Sequence, residues 1–214
     1  MHVSKPIDMK TTGFTLLLLL TLVSAALAQT EKGRWQVGAQ VGNLTYQRYK
    51  VYDGHSLSVN LTPSAGYFVA RNLLAGVSVP FSNTSNSYKA GPSDYNNRSI
   101  GIGPFIRYYV GNSNVKPFVG IGFTYNSTAI RYESLLNLND IKLKGSSTNL
   151  VPAVGAAWFI NRNVLLSAGF GYSFYHAKNQ GFLQPNPNTL TVTPITEKYQ
   201  KLSFDVGFAL LFGK

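Results

Sequence analysis

The 214-residue chain has no cysteine. That excludes a disulfide scaffold, a thiolate-ligated zinc or iron–sulfur site, and a cysteine nucleophile. Charge is scarce as well: Asp, Glu, Lys and Arg make up 13% of the residues, about half of the ~25% usual in soluble domains. Acidic residues are the scarcest, 8 against 19 Lys and Arg, which leaves a net charge of +11. Long apolar runs are nearly missing too, so a bundle of membrane helices, each needing about 20 apolar residues, is ruled out. What the chain does have is 44% hydrophobic and 13% aromatic residues, far too much apolar surface for a disordered segment.

The single long apolar run is N-terminal. Lys5 and Lys10 precede Phe14, Leu16 to Leu20, Leu22 and Val23, and the small residues Ala25, Ala26, Leu27 and Ala28 follow. A basic start, an apolar core and an Ala-Leu-Ala exit are the marks of a secretory signal peptide. Residues 1–28 are read as that signal, with Met9 as a second candidate start, and residues 29–214 as the exported domain. A membrane anchor would lack the small-residue exit and keep positive charge after the span.

The exported part alternates. From Leu57 to Tyr67 the odd positions are Leu, Val, Leu, Pro, Ala and Tyr, and the even ones Ser, Asn, Thr, Ser and Gly. Strict period two marks a strand with one apolar face. The same pattern recurs over Trp35–Val41, Leu73–Phe81, Ile100–Tyr108, Pro117–Tyr125, Thr148–Trp158, Val164–Phe174 and Leu202–Phe212, with Thr148 the sole polar residue on the apolar face. The opposite face is built of Gly, Ser, Asn, Gln and Thr, and holds most of the 20 glycines.

A soluble sandwich also alternates, so three further features decide. Connections alternate between short (69–72, 111–116, 160–163) and long (46–56, 82–99, 126–147, 175–201), as in an up-and-down barrel with tight turns at one rim. The apolar segments run to about ten residues, the length of a tilted membrane strand. The polar face is too small and too sparsely charged to meet bulk water, but it suits the crowded inside of a narrow barrel. The expected fold is therefore all-β: an eight-stranded antiparallel up-and-down transmembrane β-barrel. Closure matters because an unpaired backbone group in hydrocarbon costs several kcal/mol.

Tyr67-Phe68-Val69-Ala70-Arg71-Asn72-Leu73-Leu74 recurs in outline as Trp158-Phe159-Ile160-Asn161-Arg162-Asn163-Val164-Leu165. Asn72 and Asn163 stand where a tight hairpin asks for positive φ, which Asn tolerates. Pro63, Pro104 and Pro152 interrupt strand patterns, so bulges are expected there, with Pro117 at a strand start.

The segments Pro63-Ser64-Ala65-Gly66-Tyr67-Phe68, Gly103-Pro104-Phe105-Ile106-Arg107-Tyr108-Tyr109 and Lys116-Pro117-Phe118-Val119-Gly120-Ile121-Gly122 resemble the small outer-membrane β-barrel family. That family includes the OmpA transmembrane domain and OmpX-like proteins, and the likeness is greatest to its Bacteroidetes-type members. It covers essentially the whole exported chain. It implies an eight-stranded barrel in a Gram-negative outer membrane, inserted by the barrel assembly machinery; the even strand count puts both termini at the short-turn rim, which export places in the periplasm. It assigns no activity. Barrels of this kind commonly end on an aromatic residue, whereas Gly213 and Lys214 follow Phe212 here.

The apolar face carries Trp35, Tyr67, Tyr108, Trp158 and Phe212 near the short turns, and Phe81, Tyr125, Tyr172 and Phe174 toward the long connections. These read as two interfacial aromatic girdles. The lumen face changes along its length. Phe68, Leu74, Tyr109, Phe118, Phe159, Leu165 and Leu211 gather at the short-turn end and are expected to plug the barrel. Arg107 and Asp205 are the only charges expected inside the wall, paired with each other or served by Gln36, Gln40 and water.

No residue set calls for a cofactor or metal, and none is expected; the Gly-x-Gly pairs precede no helix, so they are wall glycines and not phosphate cradles. Ser173 and His176 suggest a nucleophile and base, but they have opposite parity on one strand, and a Ser nucleophile needs its base within hydrogen-bond reach. Asp53, Asp94, Glu133 and Asp140 are loop carboxylates, and His55 a rim residue. Arg48, Lys50, Lys89, Arg98, Arg131, Lys142, Lys144, Lys178, Lys198 and Lys201 are expected to ring the loop rim, where lipopolysaccharide phosphates supply counter-charge. The export signal argues against nucleic acid as that partner. The expected function is a monomeric, non-enzymatic barrel with a structural or surface-interaction role. A narrow channel for ions or small solutes is the alternative, and a lipid A-modifying enzyme the third reading.

Overall fold

The computed structural model describes residues 30–49, 54–88, 95–132, 141–186 and 189–213. The signal segment, Lys50, Asp53, Lys89, Asp94, Glu133 and Asp140 lie outside the described residues. The chain folds into β1 (Trp35–Tyr49), β2 (Gly54–Ala70), β3 (Leu73–Ser78), β4 (Phe81–Tyr88), β5 (Tyr95–Tyr109), β6 (Val115–Tyr132), β7 (Ile141–Phe159), β8 (Val164–Asn186) and β9 (Thr189–Phe212). Every pairing is antiparallel, and β1 joins β9 from Trp35↔Phe212 to Gly42↔Asp205, which closes the sheet into a ring.

The ring has eight positions, because β3 and β4 are two parts of one strand. Both pair with β2 and β5, and the register continues across the break: Ser64↔Ser78 resumes as Leu61↔Phe81, and Ser78↔Gly103 as Phe81↔Ile100. The cause is a pair of prolines. Pro80 interrupts the strand opposite Thr62-Pro63, and neither proline has an N–H to give the ladder. Bonds from Val79 N to Pro63 O (2.8 Å) and from Gly101 N to Pro80 O (2.9 Å) hold the notch together.

The bulges expected at Pro63, Pro104 and Pro152 do not form. Register is unchanged from Ile102↔Tyr125 to Phe105↔Gly122 and from Leu150↔Phe174 to Ala153↔Gly171. A missing donor leaves a gap in the ladder without adding a residue. The real irregularities lie between Gly42 and Thr45, Phe68 and Ala70, and Leu183 and Asn186.

The strands are longer than the apolar pattern. Much of what reads as long connection is strand: β6–β7 pairing reaches Tyr132↔Ile141 and β8–β9 pairing reaches Asn186↔Thr189. Beyond the apolar band both faces are polar, so alternation fades while backbone pairing goes on. The walls differ in height. Above Gly42↔Asp205, β9 continues back to Thr189 against β8 alone, while β1 bends at its bulge and stays with β2 as far as Tyr49↔Gly54.

The short turns use different devices. Asn72 has φ 65°, as expected, and Gly111 has φ 87°. Asn163 is not in the left-handed region; instead the Asn161 Oδ1 accepts from the N–H groups of Asn163 (2.8 Å) and Val164 (2.9 Å). An Asx turn does the work that positive φ does in the other hairpin.

The outer face is a continuous apolar band. Val119, Ile121, Val154, Phe170, Val206 and Phe208 are each about half exposed, a surface that only lipid can cover on this scale. Trp35, Tyr108, Trp158 and Phe212 are exposed at the short-turn rim, and Phe81, Tyr125, Tyr172 and Phe174 at the other. Tyr67 is less exposed, with its ring 5.1 Å from that of Trp35. At the upper girdle the Tyr172 hydroxyl donates to Gln200 (2.6 Å). Val154 is at mid-height of the band and 55% exposed. Val154→Arg is expected to destabilise the folded barrel by about 2–4 kcal/mol; denaturant unfolding in lipid measures this, and a change below about 1 kcal/mol would argue that water, not lipid, covers the band.

Candidate functional site

The lumen is built in two layers. At the short-turn end, Phe68, Leu74, Tyr109, Phe118, Phe159, Leu165 and Leu211 are buried in one cluster with Ala157 and Ala209. β2, β3, β5, β6, β7, β8 and β9 all contribute, and Gln36 from β1 accepts a hydrogen bond from the Tyr109 hydroxyl (3.2 Å). Tyr109 is the hub: its ring centroid lies 5.9 Å from Phe68, 6.0 Å from Phe118 and 5.9 Å from Phe159. Phe105 packs against the cluster from its edge.

Below this layer is a polar seal absent from the sequence expectation. Lys116 is 1% exposed and donates from Nζ to the Thr30 hydroxyl at 2.8 Å. The Thr30 hydroxyl donates in turn to the Asn72 Oδ1. The same ammonium lies 5.3 Å from the Phe159 ring centroid. Thr30 is itself buried and tied to the hairpin by the bond from Asn72 N to Thr30 O (2.8 Å). The segment that leads into β1 thus passes under the barrel floor. Lys116 corrects the expectation that Arg107 and Asp205 are the only charges inside. Its lumen parity matches Phe118 and Gly120, a signal hidden by reading Pro117 as the first residue of the strand.

Above the cluster lies a cavity of about 510 Å³, within the range of small-molecule sites. Its floor includes Phe105, Phe118 and Leu165, its wall Gln36, Gln40, Ser64, Ser78, Asn126, Ser147, Asn149, Ser167 and Ser203, and its far end Asn97, Asn179, Tyr175, Tyr199, Glu197 and Lys201. Gly122 leaves part of this space open, since a Cβ there would meet nothing nearer than 3.7 Å.

Arg107 and Asp205 both line the cavity, each with a partner of its own. The Arg107 guanidinium sits 4.3 Å from the Phe118 ring centroid. The Asp205 Oδ2 accepts from the Ser203 hydroxyl (3.2 Å). Gln36 is committed to Tyr109, and Gln40 lies beside Gly207 on the β9 side of the wall. Amides dominate higher up: Asn126 Nδ2 donates to Ser147 (3.3 Å) and Asn149 Nδ2 to Ser173 (3.4 Å). The Oδ1 atoms of Asn97 and Asn149 are buried without a partner among the described residues.

Tyr175 and Tyr199 stack at the mouth, 4.5 Å between centroids and 29° between planes. Tyr199 stands above the apolar band. Burial, with Tyr175 and Glu197 alongside, pushes its phenol up to about 12, so it stays protonated and able to donate. Ser173 and His176 do not meet: Ser173 lines the cavity and accepts from Asn149, whereas His176 lies across the strand pair from Thr148 and Lys198. His55 stacks on Tyr46, 6.2 Å away.

Most of the basic residues expected on loops are exposed on strands. Arg48, Arg98, Arg131, Lys142, Lys144, Lys178 and Lys198 stand above the aromatic rim. Arg131 and Lys142 are directly opposite each other in the β6–β7 ladder.

A closed ring of antiparallel strands, lipid-facing outside, with aromatic rims and a packed lumen, defines a transmembrane β-barrel. The chain belongs to the outer membrane protein beta-barrel domain family, which matches it over residues 14–208, and its place is the outer membrane. Among solved structures it is similar to OprG of Pseudomonas aeruginosa, with a TM-score of 0.57 at 14% identity, over 88% of this chain and 100% of that one. It is also similar to a major outer membrane protein of Thermus thermophilus, with a TM-score of 0.55 at 14% identity, over 84% of this chain and 99% of that one. At such identities the likeness is one of fold. No curated protein matches the sequence.

Proposed function

We propose that this protein is a non-conducting, monomeric outer-membrane barrel with a surface-interaction role. Its termini and short turns face the periplasm, and its polar well and tall strands face outward. The observation that carries this reading is the buried aromatic and aliphatic cluster, to which seven of the ring's strands contribute. An eight-stranded barrel is only just wide enough for side chains to fill, and the Lys116–Thr30–Asn72 chain adds a second seal. Purified protein in planar bilayers is expected to give no stable channels; open channels of porin size would refute the reading. The polar cavity favours a second reading, a narrow ion or solute channel, for which small discrete currents would be the sign.

The basic belt supports lipopolysaccharide as the lateral partner. Its residues stand just above the aromatic rim, at headgroup level. Insertion by the barrel assembly machinery is part of the same proposal. The separation of Ser173 from His176 weighs against lipid A chemistry at that pair.

A further inference from the structure

We propose that the well binds an uncharged carbohydrate, a unit of mono- or disaccharide size. This rests on the reading of a blind well that opens outward. Charge is the first argument. The chain as a whole is +11, yet the cavity is lined by Arg107 and Lys201 against Glu197 and Asp205. With the charges balanced, neither a phosphate nor a metal cation finds an excess of counter-charge there.

The second argument is the hydrogen-bonding character of the wall. Amide and hydroxyl side chains both donate and accept, as sugar hydroxyls do. The Asn97 and Asn149 side chains line the well, and their Oδ1 atoms have no donor among the described residues. A buried acceptor without a donor is costly, and a ligand rich in hydroxyls brings donors to this wall. An acyl chain would leave them unsatisfied, so a lipid tail does not fit.

The third argument lies at the mouth. The Tyr175–Tyr199 stack offers a flat aromatic face with a protonated phenol at its edge, an apolar body with a polar tip. A pyranose has the matching surface, a C–H face ringed by hydroxyls. With the floor closed by the cluster, such a ligand is held and not passed on.

The test is saturation-transfer NMR on the protein in phosphatidylcholine nanodiscs, free of glycoside detergents, with glucose and maltose as probes. Transfer to the ring protons is expected, and Asn149→Leu or Tyr199→Ala should weaken binding by about tenfold. Glucose 6-phosphate should bind no better than glucose. Gly122→Leu should abolish binding while keeping the fold, because a Cβ at Gly122 meets nothing nearer than the Phe105 Cβ at 3.7 Å and the Pro104 O at 3.9 Å. No transfer to either sugar, or transfer unchanged in both Asn149→Leu and Gly122→Leu, overturns the proposal. Bilayer currents from the same preparation separate the two readings: currents with mutation-sensitive transfer overturn the closed floor and leave the sugar site standing, and silence without transfer overturns the sugar site alone.

Discussion

Tyr109→Ala is expected to lower the unfolding free energy by about 3–5 kcal/mol, the loss typical of a large aromatic removed from a core. It should also make the barrel leaky where the parent, on the function proposed above, is silent. The ring is fully buried and meets Phe68, Phe118 and Phe159 at centroid distances of 5.9–6.0 Å. Removing it therefore leaves a void that three aromatics line from different strands, and strands tied by backbone ladders cannot close in to fill it. The Lys116–Thr30 bond beneath then becomes the remaining barrier. Tyr109→Phe is the control: it loses only the bond to Gln36, worth about 1 kcal/mol, and keeps the seal. Guanidinium unfolding and bilayer current measure the two effects. A loss below about 1 kcal/mol in the alanine variant would show that the cluster is not the floor.

Gly103→Ala is expected to cost more than the about 1–3 kcal/mol of ordinary overpacking, enough to deplete the folded form. A Cβ at Gly103 would lie 1.8 Å from the Phe123 carbonyl oxygen and 2.7 Å from the Thr124 Cα. Both are backbone atoms of the neighbouring strand, so relief requires the β5–β6 ladder itself to move. Gly122→Ala, on that neighbouring strand, meets only contacts of 3.7 Å or more and should fold as the parent does. Heat modifiability in SDS gels reads both: Gly103→Ala should run largely at the boiled position without boiling, and Gly122→Ala should shift only when boiled. Equal behaviour of the two variants would remove the steric account.

Alternation made most of this barrel legible. Leu57–Tyr67 shows its two faces in the sequence because one of them meets lipid along its whole length, and the seven bulky lumen residues stand out because the wall above them is mostly small or polar. What the pattern hides follows from the same physics. Above the lipid both faces are wet, so Arg131 and Lys142 read as loop although they sit opposite each other in a ladder. Lys116 escaped because Pro117 looked like a beginning, though one more residue carries the alternation down to the seal. The prolines act in the opposite direction: Pro104 and Pro152 remove a donor without adding a residue, and the break falls at Pro80, whose neighbour Val79 bonds to Pro63 across the strand pair. Asn163 shows the limit of a local repeat, since Asn161 solves the same turn by hydrogen bonding.

On the outward orientation proposed above, the unequal height of the walls sets the side from which the well is reached. On one flank β8 and β9 rise together as a mast, while beside it the rampart of β1 and β2 ends at the Tyr49–Gly54 rung. On that orientation a bulky insertion between β8 and β9 is expected to leave entry to the well free, and the same insertion between β1 and β2 to hinder it.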